Sequence, residues 1–312
     1  MQLVTTTITA ILELFIILFI GVIGLKKKIF TEAGNKKLSD LALYIVSPAI
    51  IFVSFQTEYS HDKLMALLTS FELSLISIIG AVIFSLIVIK KNAKSKDYLV
   101  DRMALMYTNC GFVGIPLLQI ILGSEGVFLV TGYITVFHLV CWTYGISMLQ
   151  ETSQKSDYLK IFKNPNMIAI ILGFTTYVLR IKLPPLLAVP VTQISAMNTP
   201  LSMLVVGASL GCSKLGEIFL DKRIYYITFL HNILYPVLFL CIGHYILMPL
   251  GLYNATSWMT IVIATACPVG STSTMFALNF SRQHKYSSAI LGFSTLVSAI
   301  TIPLILFIDT LM

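Results

Sequence analysis

The sequence predicts an all-α polytopic membrane protein. It reads as ten transmembrane helices in a five-plus-five inverted repeat, with the fourth and ninth helices broken where they cross. Three observations carry this reading. The composition is too apolar for water, the chain divides into ten apolar runs, and a pair of prolines recurs at one spacing.

Of the 312 residues, 57 % are apolar and 11 % are charged. A soluble domain is about 25 % charged. A mean hydropathy of +0.89 cannot be hidden in one core of this size, so much of the surface must be apolar too. This excludes a soluble enzyme, a nucleic-acid module and a disordered scaffold, and it makes the lipid bilayer the first partner. A spanning helix needs ~20 mostly apolar residues. The runs at 5–25, 38–56, 64–89, 102–122, 126–149, 166–181, 189–211, 224–248, 256–280 and 286–309 qualify. The sixth is short, ends at Arg180 and is followed by Pro184-Pro185. The runs are continuously apolar rather than alternating, which favours helices over a β-barrel. Met1-Gln2-Leu3-Val4-Thr5 has no basic region, so the first run is expected to stay in the mature protein.

Charge gives the orientation. The loops after runs 1, 3, 5, 7 and 9 carry 18 of the 21 Lys and Arg residues, Lys26-Lys27-Lys28 among them. The others carry only Lys63, Arg180 and Lys182. The basic loops therefore read as cytoplasmic. Both termini are then outside, in a multi-pass protein of the cell (plasma) membrane. The net charge of +7 is a property of these loops before it is a sign of an anionic partner. Cys110, Cys141, Cys212, Cys241 and Cys267 form no CxxC pair and read as reduced, structural residues.

The repeat rests on prolines. Pro48 to Pro116 is 68 residues, and so is Pro200 to Pro268. The two pairs are related by one offset of 152. Halves at 1–150 and 151–312 fit that offset, with five helices each. Five is odd, so the second half enters the membrane upside down, the arithmetic of an inverted repeat.

The fourth and ninth runs hold the chemistry. One contains Asn109-Cys110-Gly111-Phe112-Val113-Gly114-Ile115-Pro116-Leu117, the other Cys267-Pro268-Val269-Gly270-Ser271. Proline removes a helix hydrogen bond but suits the first turn of a new helix. Each run therefore reads as two half-helices, the second halves starting near Pro116 and Pro268. A simple proline kink is the alternative for either run alone. Matching interruptions in two halves favour a crossover. A half-helix N-terminus offers unpaired N–H groups and roughly half a positive charge. With no clear Lys or Arg deep in a run, an anion would be held by the backbone near Pro116–Leu118 and Pro268–Gly270. A singly charged anion should be preferred over a dianion. The carbonyls near Asn109 and Ala266 suit a cation or a water.

At these residues the sequence resembles the auxin efflux carrier family. The matching stretches are Asn109–Gly126, Trp142-Thr143, Thr199–Gly211 and Ala266–Ser271, together with Ser47-Pro48-Ala49. The linker between the halves spans only residues 150–165, so the resemblance is to the short microbial, malate-permease-like branch. It implies the fold of the bile-acid, arsenite and riboflavin transporter superfamily. It also implies ten helices, crossovers at Pro116 and Pro268, elevator-type transport of a small organic anion such as a mono- or dicarboxylate, and a homodimer. Asn109, Gly114, Pro116 and Pro268 match the family's crossover motifs. His138, four residues before Trp142, stands where plant relatives carry a polar residue, often Gln. The candidate substrate-binding residues are thus Asn109, Gly111, Gly114, Pro116, Leu117, His138, Cys267, Pro268, Val269, Gly270 and Ser271.

Ionisable groups inside a membrane are functional candidates by default. Glu13 and Glu72 lie in apolar sequence, Glu72 near enough to the expected pocket for a coupling or support role, with Ser54 and Asn198 as polar company. A proton or sodium ion is the expected coupling partner. His231 and His244 have no acidic neighbour in sequence and read as packing residues. Gly207, Ser209 and Gly211 suit close helix approach. No HExxH, P-loop or aspartate pair is present, so no catalytic residue, metal or cofactor is expected. A sodium-coupled symporter of the bile-acid type is the alternative within transport. It would need more polar residues near the crossover than Asn109, Gln119 and Asn198. A membrane receptor or enzyme is the alternative outside it.

Overall fold

The computed structural model describes residues 2–91, 98–149, 162–212, 221–251, 253–279 and 284–312. It is all-helical, and among the described residues no strand forms. α1 (Gln2–Lys26) is followed by α2 (Glu32–Leu41), a π-helical turn and α3 (Ser47–Ser54). α4 (His61–Val88) and α5 (Tyr98–Met106) lead to the first break. Beyond it a π-turn (Cys110–Gly114) feeds α6 (Ile115–Val140), which continues through a second π-turn into the short α7 (Ile146–Leu149). α8 (Pro165–Val178), α9 (Pro185–Ala196) and α10 (Asn198–Cys212) follow. α11 (Lys222–Phe229) and α12 (Tyr235–Ile242) are joined by a π-turn at Leu230–Leu234. α13 (Ala255–Ala266) and α14 (Ser271–Asn279) flank the second break, and α15 (His284–Leu311) closes the chain.

Helix starts are set by side-chain caps that satisfy otherwise orphaned N–H groups. Thr31, Ser60 and Asn254 accept from Gly34, Lys63 and Ser257 at 3.0–3.1 Å. Among the described residues, seven helical stretches are long and apolar enough to cross a membrane. Pro165–Val178 and Ala255–Ala266 are apolar but shorter. Leu12, Ile16, Phe19, Ile20 and Ile23 are all exposed along α1, a surface that only lipid or protein can cover.

α1 packs along α10 at short range. A Cβ on Gly207 would collide with the Leu18 carbonyl, so glycine is what lets the backbones meet. At Gly123, φ is 64° and ψ is −148°, a backbone open mainly to glycine, and this breaks α6. At one end of the bundle Phe55, Phe128 and Tyr177 are buried together. Phe128 of α6 lies 5.2 Å from both other rings, which come from the end of α3 and from α8. The Tyr177 hydroxyl donates to the Ser60 carbonyl at 3.2 Å.

Candidate functional site

The two interrupted helices meet in an antiparallel bridge between Thr108 and Val269. The Asn109 N–H donates to the Pro268 carbonyl at 2.7 Å, and the Gly270 N–H donates to the Tyr107 carbonyl at 2.7 Å. Residues 107–109 and 267–270 are thus not helical; these are breaks and not kinks. Pairing with each other satisfies backbone groups that a helix would otherwise satisfy.

The break positions differ from the sequence expectation in one half. Pro268 lies within its break, and Cys267 before it has ψ 151°, as the residue before proline prefers. Pro116 lies outside its break. The second half-helix starts at Cys110, where the Asn109 carbonyl accepts from Val113 and Gly114 at 2.9 and 3.3 Å. The wide π-turn then delivers Pro116 into the first turn of α6, where its missing N–H is tolerated.

Polar side chains from neighbouring helices hold the crossover. Ser294 of α15 accepts the Val269 N–H at 2.9 Å and donates to Asn232 Oδ1 at 2.6 Å. Asn232 Nδ2 returns a bond to the Ser294 carbonyl at 3.0 Å. His231 Nε2 lies 3.1 Å from the Cys267 carbonyl. Thr108 donates to the Tyr133 hydroxyl at 3.2 Å, and Ser77 pairs with Thr265 at 2.7 Å. Tyr235 donates to the Ser77 carbonyl. None of these partners except His231 was singled out by sequence. The signal was there as Asn and Ser in apolar runs. Ser287, Ser294, Ser298 and Thr301 recur on one face of α15, all buried.

A cavity of about 630 Å³ reaches the crossover from one end. Asn109, Phe112, Ser271 and Thr274 line its inner part, with Asn35, Val205, Val206 and Ser209 opposite. Glu32, Lys36, Asp221 and Lys285 also line it, from the end that carries the basic loops. Asn109 is 4 % exposed, and its Nδ2 has no hydrogen-bond partner. With no partner fixing the amide, a half-turn can present either end to the cavity. Ser271 opens α14, and the first N–H groups of a helix have no partner within it. Ser273 N–H is already bonded to the Gly270 carbonyl at 3.1 Å, which leaves those of Ser271 and Thr272.

Of the substrate-binding candidates, Asn109 and Ser271 line this cavity. Gly111, Gly114, Pro116, Cys267, Pro268, Val269 and Gly270 form the crossover and its flanks behind them. Leu117 is fully buried in the core. His138 is half-buried on α6 with an unpartnered Nδ1, and it does not line the cavity. Glu13 and Glu72 lie on exposed faces of α1 and α4, outside the cavity lining. Ser54 donates to the Ile51 carbonyl at 2.6 Å. Asn198 is buried at the α9–α10 junction with Nδ2 unpartnered. His244 does have an acidic partner, one that sequence distance hid. Its Nε2 lies 2.8 Å from Asp309, which also accepts from Trp258 at 2.9 Å. Beside the cavity mouth, buried Asp101 is paired with Arg223 and accepts from Tyr286 at 2.8 Å.

Residues 6–306 match the family described as "Membrane transport protein". The chain belongs to that family. Its relatives include the protein named "Uncharacterized transporter YfdV" of Escherichia coli K12, 24 % identical over 313 residues, covering 96 % of this chain and 97 % of the relative. The proteins of that name in Escherichia coli O157:H7 and Shigella flexneri match to the same extent. This is the family that the crossover motifs resemble, and it makes the chain a membrane transporter.

Proposed function

We propose that the protein is a secondary transporter for a small organic anion, with a carboxylate held at the crossover. The observation that carries this is Asn109. It is a buried amide with an unpartnered Nδ2, set beside a helix N-terminus at the inner end of a cavity. The Asn109 amide and the N–H groups of Ser271 and Thr272 form a donor set without a fixed cation. Such a set suits an anion. Phe112, Val205 and Val206 give the substrate's body an apolar wall.

The helix lengths support a membrane arrangement. Cys110–Gly145 is a 36-residue helical stretch, about 54 Å at 1.5 Å per residue, too long for one crossing. Gly123 divides it, and its first part with α5 makes one pass and the rest another. Pro165–Val178 makes one more pass, and Ala255–Ala266 with α14 makes another. Ten passes result, in two inverted halves of five. The cavity then opens to the cytoplasm and both termini lie outside. Phe55, Phe128 and Tyr177 seal the outer end, and substrate release there requires Phe128 to leave its two partners. This fits an elevator-type or other alternating-access cycle, with a proton or sodium ion as coupling partner.

The test is thermal melting of the purified chain with monocarboxylates and dicarboxylates, followed by uptake into proteoliposomes holding only this protein. A ligand that binds the native state raises its Tm with concentration. At least one carboxylate should do so and be taken up. If no carboxylate shifts the Tm and none is transported, the reading fails.

A further inference from the structure

Two thiols meet where the broken helices cross. The Thr108–Val269 bridge is antiparallel. In its register Cys110 falls opposite Cys267, at the ends of the paired segments. Gly114 reports the same closeness independently. A Cβ at Gly114 would lie 3.1 Å from Cys267 Sγ and 3.2 Å from Cys110 Cβ. Both cysteines are free and buried, one from each half of the chain.

We propose that Cys110 and Cys267 form a two-thiol site for a soft, two-coordinate metal ion, and that loading it pins the two broken helices together. Hg(II) is the probe. Mercuric chloride and two thiols give a bis-thiolate mercury bridge and two HCl. Two S–H bonds break, two S–Hg bonds form, and nothing is oxidised or reduced. The bridge carries no net charge, which suits a buried site where an unpaired charge is costly. Thiolates select soft metals, whereas a structural zinc ion asks for four ligands. Among the described residues no group of three or more His, Cys, Asp or Glu could hold a metal, so a harder or higher-coordinate ion lacks its donors. Gly114 carries no side chain that would press on Cys267 Sγ and Cys110 Cβ. Asn109 and Phe112, on either side of Cys110 and Gly111, line the cavity and give the ion a way in. The two cysteines adjoin Asn109 and Pro268, so a bridge acts directly on the crossover.

The test uses the full chain carrying Cys141→Ala, Cys212→Ala and Cys241→Ala, titrated with mercuric chloride. One mercury per protein should bind, remove both remaining thiols from reaction with a chromogenic disulfide, and raise the Tm. Adding Cys110→Ala or Cys267→Ala should abolish the Tm rise. Two mercury ions per protein, one ion leaving a reactive thiol, or no binding would each overturn the proposal. Should that background fold poorly, mercury-loaded wild-type protein is digested and its peptides weighed. A mercury-linked pair holding Cys110 and Cys267 supports the site. Linkage to any other cysteine, or none, refutes it.

Discussion

Asn109 and Ser294 both serve the crossover, and their side chains do opposite things there. The backbone of Asn109 holds the bridge, while its side-chain Nδ2 has no partner. Ser294 uses its hydroxyl to satisfy the buried Val269 N–H and Asn232 Oδ1 together. Asn109→Ala should therefore leave the Tm of the free protein nearly unchanged and weaken carboxylate binding at least tenfold, about 1.4 kcal/mol. Ser294→Ala should do the reverse. It strands two buried polar groups at about 1–3 kcal/mol each, so the Tm of the free protein should fall. Melting both variants with and without ligand separates the two roles. Equal effects from the two would refute the distinction. Asn109 was legible in sequence because it is a lone amide beside Gly111 and Pro116 in an apolar run. Ser294 was not. A serine in a membrane helix commonly bonds a carbonyl of its own helix, and nothing local marks one whose partners are 25 and 62 residues away.

At the level of elements, the two halves break by different devices. In the second half Pro268 sits in the break and its carbonyl accepts the Asn109 N–H. In the first half Asn109 ends the extended segment, and Pro116 is absorbed by a π-turn into α6. Proline spacing found the crossing pair of helices, and Pro116 does open the α-helical part of its second half-helix, but the break itself lies one π-turn earlier, at residues 107–109. Pro268→Ala should lower the uptake rate in proteoliposomes by more than tenfold, since it frees Cys267 to rejoin the helix. Pro116→Ala should change it by less than about twofold, as its turn starts at Cys110 in either case. A tenfold loss in both variants would show that Pro116 shapes the break after all. The Gly207 contact was legible in advance, since small residues in a membrane helix mark close approach. The π-turns were not, because they arise from packing across helices and leave no period in the sequence.

Across the whole molecule, charge and cavity coincide. Residues of the Lys- and Arg-rich stretches, Lys36 and Lys285 among them, line the 630 Å³ cavity, whereas Phe55, Phe128 and Tyr177 pack on one another away from its lining. The residue count could place the basic loops but not the cavity, which needs helices distant in sequence to splay apart. Around the cavity, Glu32 and Asp221 offset Lys36 and Lys285. Among the described residues that line the cavity, the cationic side chains are Lys36 and Lys285. The donors available at its inner part are the α14 N-terminus, roughly half a positive charge, and neutral N–H groups. That is enough for one carboxylate. A second carboxylate would enter a low-dielectric site without a counter-charge, at a cost that protonation removes. Between pH 7.5 and 5.5, binding of a monocarboxylate whose own pKa lies well below that range should stay nearly constant. Binding of a dicarboxylate should tighten as the pH falls and its monoprotonated form fills. Ligand-induced Tm shifts at both pH values, each corrected for the shift of the free protein, measure this directly. A dicarboxylate that binds equally well across that range, in buffer without sodium, would mean that a cation from the cavity rim reaches the crossover. Lys36→Ala and Lys285→Ala would then identify which one supplies it.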